Sequence, residues 1–123
     1  MADLNTPVAF LATAKSTESR HFYETVLNLK CLSDEPFALV FELGGTTLRI
    51  QKVESVTQVN YTVLGWNVTN IKHCVEELAK KGVQFEIFSG LEQDDSGIWS
   101  SPGGAMVAWF KDPDGNTLSL TQL

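Results

Sequence analysis

Few side chains in this 123-residue chain are of a type that makes or breaks bonds. Its two cysteines, Cys31 and Cys74, form no CxxC and no metal-ligand spacing. Neither stands in a motif of activated thiols, and both have apolar neighbours, so they read as buried free thiols. The two histidines, His21 and His73, fall in stretches of helical spacing. His21 adjoins an apolar stripe and His73 lies in a first turn, positions of packing or surface histidines rather than ligands. Ser119 has no histidine placed to activate it. Asp112 and Asp114 resemble the opening of a calcium loop, but no glutamate stands at its twelfth position, so turn chemistry is the better reading. There is no GxGxxG and no Walker A motif; Gly44-Gly45 and Gly103-Gly104 sit at hairpins. The remaining candidate is the loop 90–104, with Glu92, Asp94, Asp95 and a large aromatic, Trp99. Long loops in compact domains tend to be functional. It is either a lid whose Trp99 covers a flat ligand while its acids attract a cation, or a solvated acidic connection anchored by Trp99.

Composition narrows the partners. The net charge is −6, and the nine lysines and arginines form no run longer than Lys80-Lys81. No basic stripe is available to neutralise phosphates, which excludes a nucleic-acid surface. Apolar content of 43% and charged content of 20% fit one soluble globular domain. No apolar run reaches membrane-spanning length, and the N-terminus lacks the basic and apolar regions of a secretory leader. The expected location is therefore cytoplasmic, without a membrane partner.

The elements that must position these residues are read from periodicity. Pro7–Thr13 is a strand with Ala9 and Leu11 on one face and Val8, Phe10 and Ala12 on the other. Ser16 is the expected cap of a helix running to about Leu27, with Phe22, Tyr23, Val26 and Leu27 as its apolar stripe and Asn28 as its left-handed end. Leu29–Ser33 is a short apolar stretch. Phe37–Leu43 and Thr46–Val53 flank Gly44-Gly45, a hairpin signal. Residues 54–60 are polar and aperiodic, a linker. The pattern then repeats. Tyr61–Val68 is a strand, and Thr69 or Asn70 caps a helix carrying Ile71, Cys74, Val75, Leu78 and Ala79. That helix has Glu76–Lys80 and Glu77–Lys81 as spaced pairs and Gly82 at its end. Val83–Phe88 is a strand, with a further short one around Ile98–Ser100. Ala105–Phe110 and Thr117–Gln122 close the chain around Asp112-Pro113-Asp114-Gly115-Asn116, whose residue types are those of a tight turn.

These elements make an α+β fold: one domain, 1–123, of two tandem βαβββ units at about 6–53 and 61–122. One helix per unit excludes a doubly wound parallel sheet. The expected product is a curved, mostly antiparallel sheet with the helices on its outer face.

Trp109-Phe110-Lys111-Asp112-Pro113-Asp114-Gly115-Asn116 followed by an alternating strand, with the earlier phrase Phe22-Tyr23-Glu24-Thr25-Val26-Leu27-Asn28-Leu29, resembles the vicinal oxygen chelate superfamily. Glyoxalase I, the bleomycin-resistance proteins and the extradiol dioxygenases belong to it. Asn28 replaces the usual glycine and keeps the left-handed cap. The resemblance covers nearly the whole chain and implies a homodimer that holds its ligand in the concavity of a cup-shaped sheet. In metal-dependent members it implies His or Glu ligands on the first, fourth, fifth and eighth strands. Those positions fall here on Val8, on Gln51 (or Arg49 in a register two residues away), on Val63 and on Ser119. None offers an imidazole or carboxylate, and a one-residue slip would turn each side chain to the wrong face. A divalent ion needs three or four such donors, so no metal and no cofactor are expected.

Alternation from those positions lines the cup with Val8 and Phe10, Arg49 and Gln51, Val63 and Asn67, Trp109 and Ser119, with Trp99 contributed by the loop. Such a lining, apolar and aromatic with few polar groups, suits a small-molecule site. Arg49 argues against a sealed core, since a buried arginine requires a partner; Glu42 across the hairpin is the alternative partner. Similarity to the bleomycin-resistance proteins implies a metal-free protein that sequesters a small aromatic or cationic molecule. The rivals are a glyoxalase- or dioxygenase-type metal enzyme and an interaction module with a closed cup.

Overall fold

The computed structural model describes residues 2–123. The chain divides into two compact units, the first ending at Thr57 and the second spanning Gln58–Leu123. No helix among the described residues is long and apolar enough to cross a membrane.

In the first unit, β1 (Val8–Thr13) leads into α1 (Ser16–His21), which runs on as a π-helical turn over Phe22–Val26. Ser16 is the first helical residue rather than the cap. Lys15 takes the cap position with no side-chain capping bond, and its N–H is held instead by Thr13 Oγ1 at 3.0 Å. The expected helix to Leu27 also ends differently, in a wider turn closed by Leu27 N–H on Phe22 C=O at 2.9 Å. Tyr23 in this turn is wholly buried, with Phe22 edge-on at 5.2 Å and Phe41 at 5.9 Å. Asn28 then adopts φ +58°, the left-handed conformation its position required. Strands β2 (Lys30–Asp34), β3 (Ala38–Leu43) and β4 (Thr46–Lys52) complete a sheet in the order β1-β4-β3-β2. Only β1 and β4 run parallel. Gly44 and Gly45, both at positive φ, close the β3–β4 hairpin as a two-residue turn.

The second unit repeats the topology. Its elements are β5 (Leu64–Asn67), α2 (Ile71–Lys80), β6 (Trp99–Ser100), β7 (Met106–Lys111) and β8 (Thr117–Gln122). They stand in the order β5-β8-β7-β6, with β5 and β8 parallel. Asn70 is the cap of α2, accepting from His73 N–H at 3.2 Å, and Gln122 Oε1 takes the Ile71 N–H at 2.9 Å. Gly82 past the helix end has φ +94°. On the exposed face of α2, Lys80 pairs with Glu77, three residues away, at 3.7 Å. Ala108, Phe110, Leu118 and Leu120 turn to the interior, with Trp66 stacked on Phe110 at 6.5 Å and Phe85 at 5.5 Å.

Two strands are shorter than expected. Tyr61–Val68 contracts to β5, although Val63 N–H still bonds Thr117 C=O at 2.9 Å. Val83–Phe88 survives only as a bridge from Phe85 to Phe110 and a bond from Glu86 N–H to Trp109 C=O at 2.8 Å. The reason is geometric. The chain leaves the edge of β7 after Glu86 and returns to the same edge at Trp99, opposite Val107.

Candidate small-molecule site

The closing turn sets the frame of the second unit's sheet. Asp112 Oδ1 accepts from the N–H groups of Asp114 and Asn116, both at 2.9 Å, and its Oδ2 from Asn116 Nδ2 at 2.8 Å. The aspartate is thus committed to its own turn, with Gly115 at φ +83°, and the register of β7 on β8 follows: Trp109 opposite Ser119, Val107 opposite Thr121. On the other side of β8, Gly65 stands beside Ser119 and Asn67 beside Thr121. Opposed residues share a face. Val63, Asn67, Trp109 and Ser119 therefore lie on one face of this sheet, and Trp99, opposite Val107, joins them. A Cβ at Gly65 would stand 2.7 Å from Ser119 Oγ, so a side chain there would turn that hydroxyl aside.

The aromatic residues of this face form a cluster. The Trp99 and Trp109 rings lie 6.1 Å apart, and Phe88 meets Trp109 edge-on at 5.4 Å. Beside them are two adjoining hollows of about 220 and 210 Å³. Phe88, Asn60 and Thr117 line both, while Tyr61, Leu91 and Trp109 belong to the larger. Tyr61 is 64% exposed and Phe88 40%, high values for large side chains on a folded surface.

The loop expected to act as a lid or an acidic connection is an excursion from the sheet edge. Between Phe85 and Trp99 the chain advances fourteen positions while β7 advances three, so eleven residues are looped out. Gln93 ties the excursion together. Its Oε1 accepts from Phe88 N–H at 2.7 Å, and its Nε2 donates to the carbonyls of Glu86 and Gly97, both at 2.8 Å. Asp94 organises the tip, accepting from Ser96 Oγ at 2.7 Å and from the N–H groups of Ser96 and Ile98 at 3.0 and 2.9 Å. Burial pushes its carboxyl upward, but these donors together outweigh burial and hold it below the usual value. Asp94 is therefore occupied by its own loop and does not face a ligand. Trp99 is an anchor in β6, packed on Trp109, rather than the tip of the loop.

The other predicted residues lie on the first unit's sheet. Phe10 stands opposite Arg49, Ala12 opposite Gln51 and Val8 opposite Thr47, so Val8, Phe10, Arg49 and Gln51 share a face. Val8 and Phe10 are exposed, as is Gln51. Arg49 is half-buried and pairs with Glu35 at 3.4 Å, not with Glu42; the second Glu35 oxygen accepts from Ser33 Oγ at 2.8 Å. Glu42 is directed by register to Thr47 and Lys30 instead.

Phe88, Tyr61 and Gln93 were not singled out from the sequence. The alternation of Glu86, Ile87 and Phe88 signals opposite faces, which is enough to find Phe88. Gln93 acts wholly through backbone groups and leaves no pattern.

Repeated βαβββ units of one topology, with an aromatic sheet face, define a glyoxalase-like fold. The family model of the Glyoxalase/Bleomycin resistance protein/Dioxygenase superfamily matches residues 7–120, and the chain belongs to that superfamily. Among solved structures it is similar to lactoylglutathione lyase from Agrobacterium tumefaciens, with a TM-score of 0.77 and 13% identity over 98% of this chain and 95% of that one. It is also similar to a putative glyoxalase family protein from Bacillus anthracis, TM-score 0.75 and 16% identity over 99% and 97%. A third likeness is to TnmS3, an antibiotic binding protein from Streptomyces sp. CB03234, TM-score 0.72 and 18% identity over 99% and 98%. These likenesses show the fold. No curated protein matches the chain in sequence.

The superfamily's enzymes imply a metal, and the residues here do not fit one. Val8, Gln51, Val63 and Ser119 supply two hydrocarbons, an amide and a hydroxyl. Among the described residues no three of His, Cys, Asp or Glu come together as a ligand set.

Proposed function

We propose that this chain is a metal-free binding protein of the superfamily that sequesters a small, flat aromatic molecule, neutral or cationic, as a cytoplasmic homodimer. The observation that carries the reading is the aromatic cluster of Phe88, exposed, with Trp99 and Trp109, both half-buried, on a sheet face whose remaining groups are small. Such surfaces stack planar ligands and attract cations through the ring faces. TnmS3, which binds an antibiotic, carries the same fold, so the fold is compatible with such a role.

Titration with planar aromatic compounds, with and without a cationic group, while following tryptophan fluorescence tests the reading. Saturable quenching that is lost in Trp109→Ala supports it. No spectral change with any compound of the class counts against it. Elemental analysis distinguishes the enzyme alternative, which requires about one divalent ion per dimer, held tightly enough to survive purification.

A further inference from the structure

A separate hollow lies on the helix side of the second unit, between α2 and the excursion. Its volume is about 380 Å³, and Val75, Ala79, Val83 and Phe85 give it an apolar floor. Ile87, 66% exposed, stands at its margin. Two carboxylates reach it from its two walls: Glu76 from α2 and Asp95 from the excursion. Both residues are exposed, and the ion pairs among the described residues leave both out. The wall carrying Asp95 is built before any ligand arrives. Asp94 and Gln93 fix it, and Gly97 packs so closely that a Cβ there would stand 3.0 Å from Phe85 Cβ.

We propose that this groove is a second ligand site, for small amphiphilic ammonium compounds: an alkyl chain on the Val75–Phe85 floor and its cation between Glu76 and Asp95. The size is in the range of small-molecule sites. A floor of aliphatic and aromatic carbon rewards each buried methylene by about fourfold in affinity. The sign of the charge follows from two unpaired carboxylates on a chain of net charge −6, which attract a cation and repel an anion. A preformed wall spares the ligand the cost of ordering it. None of these residues belongs to the Trp99–Trp109 face, so the site stands whether or not that face binds anything.

The test is a titration of ¹⁵N-labelled full-length protein with n-alkylammonium chlorides, read by NMR. With n-heptylammonium, saturable shifts are expected at the amides of Val75, Ala79, Phe85 and Ser96, and affinity should rise about fourfold per methylene from pentyl to heptyl. The neutral n-heptanol should bind roughly three- to tenfold more weakly, a margin that shrinks in high salt because the acids are exposed. The double variant Glu76→Gln/Asp95→Asn should bring the ammonium down to the level of the alcohol. Ala79→Leu, an exposed helix position given another good helix former, should fill the groove and abolish the shifts while the rest of the spectrum is kept. Non-saturating shifts, equal binding of alcohol and ammonium, or undiminished binding to Ala79→Leu overturns the proposal. Shifts confined to the indole N–H groups of Trp99 and Trp109 would do so too, by placing the amine on the other face.

Discussion

The same sheet edge is built twice in this molecule, with opposite results. In the first unit β2 lies along β3 with a single irregularity, one extra residue between Cys31 and Ser33. In the second unit the strand that should lie along β7 touches it at Phe85, departs, and rejoins at Trp99. A one-residue bulge leaves an edge strand usable as structure, bent and twisted but paired. An eleven-residue excursion turns it into a wall, with Phe88 and Leu91 over the sheet face and Ile87 and Asp95 over the helix side. The first edge is secured by charge: Asp34 receives Lys52 at 2.5 Å and Arg20 at 3.2 Å, while Glu35 receives Arg49. The second has one ion pair at its base, Lys111 with Glu86 at 3.5 Å, and beyond it is held by an uncharged amide, Gln93, acting on main-chain groups. A large difference between the two units thus lies at an edge, where extra residues disturb no interior ladder.

The contrast breaks most severely at Phe110, which is fully buried, faces Trp66 and Phe85, and sits where the edge strand begins to pair. Phe110→Ala should cost about 3–5 kcal/mol of stability, measured by denaturant unfolding. It should also speed hydrogen exchange at the Glu86 and Phe88 amides. Phe41→Ala, at a fully buried aromatic of the first unit, should cost a similar amount while leaving those two amides protected. If Phe110→Ala left exchange at Glu86 unchanged, the excursion would not depend on the bridge at its base.

Gln93→Ala is the sharper and milder test. It removes three hydrogen bonds with a net worth of about 1 kcal/mol each, so a loss of about 2–3 kcal/mol in local stability is expected. Exchange should accelerate at Phe88, and the Trp99–Trp109 fluorescence should change as Phe88 leaves its edge-on contact. Protection in β2 and β3 should not change. An unaltered Phe88 amide would mean that the excursion is held by Asp94 and packing alone.

How much of this was legible beforehand differs between the units for a physical reason. Periodicity and turn residues report local conformation, and they suffice where local conformation decides. Gly44-Gly45 closes its hairpin, Asn28 takes its left-handed cap, Asn70 caps α2, and the Asp112–Asn116 turn fixes the register that puts Trp109 beside Ser119. The side-chain faces of β1, β4, β7 and β8 followed from the period of two. What was hidden depends on partners remote in sequence or on backbone atoms. Val83–Phe88 has the composition of a strand, yet most of it has no strand to pair with. Arg49 pairs with Glu35, fourteen residues away, rather than with Glu42, which is nearer in sequence and shares its sheet face. Ser16 had the chemistry of a cap, but the helix begins on it.

The smallest effect separates the two ways of holding an edge. Asp34 and Asp94 are both held below the ordinary carboxylate value, for different reasons. For Asp34 the hydrogen bond from the Lys52 ammonium leads; burial opposes it, and the Lys52 and Arg20 charges add to it. For Asp94 burial is the largest influence and works upward, overcome by Ser96 Oγ and the N–H groups of Ile98, Ser96 and Gly97. A depressed carboxyl adds stability that is fully present above its unfolded value, about 3.9, and is lost as pH falls through the folded value. Both units should therefore weaken on acidification below about pH 4, and Asp34→Asn or Asp94→Asn should each flatten part of that fall. Salt tells them apart. In 1 M salt, where screening acts within about 3 Å, the exposed Asp34 should titrate closer to an ordinary aspartate. Asp94, held by neutral donors, should not move. Carboxyl ¹³C titrations at low and high salt measure both midpoints in one sample. If the two moved together, the first edge would not owe its stability to charge any more than the second does.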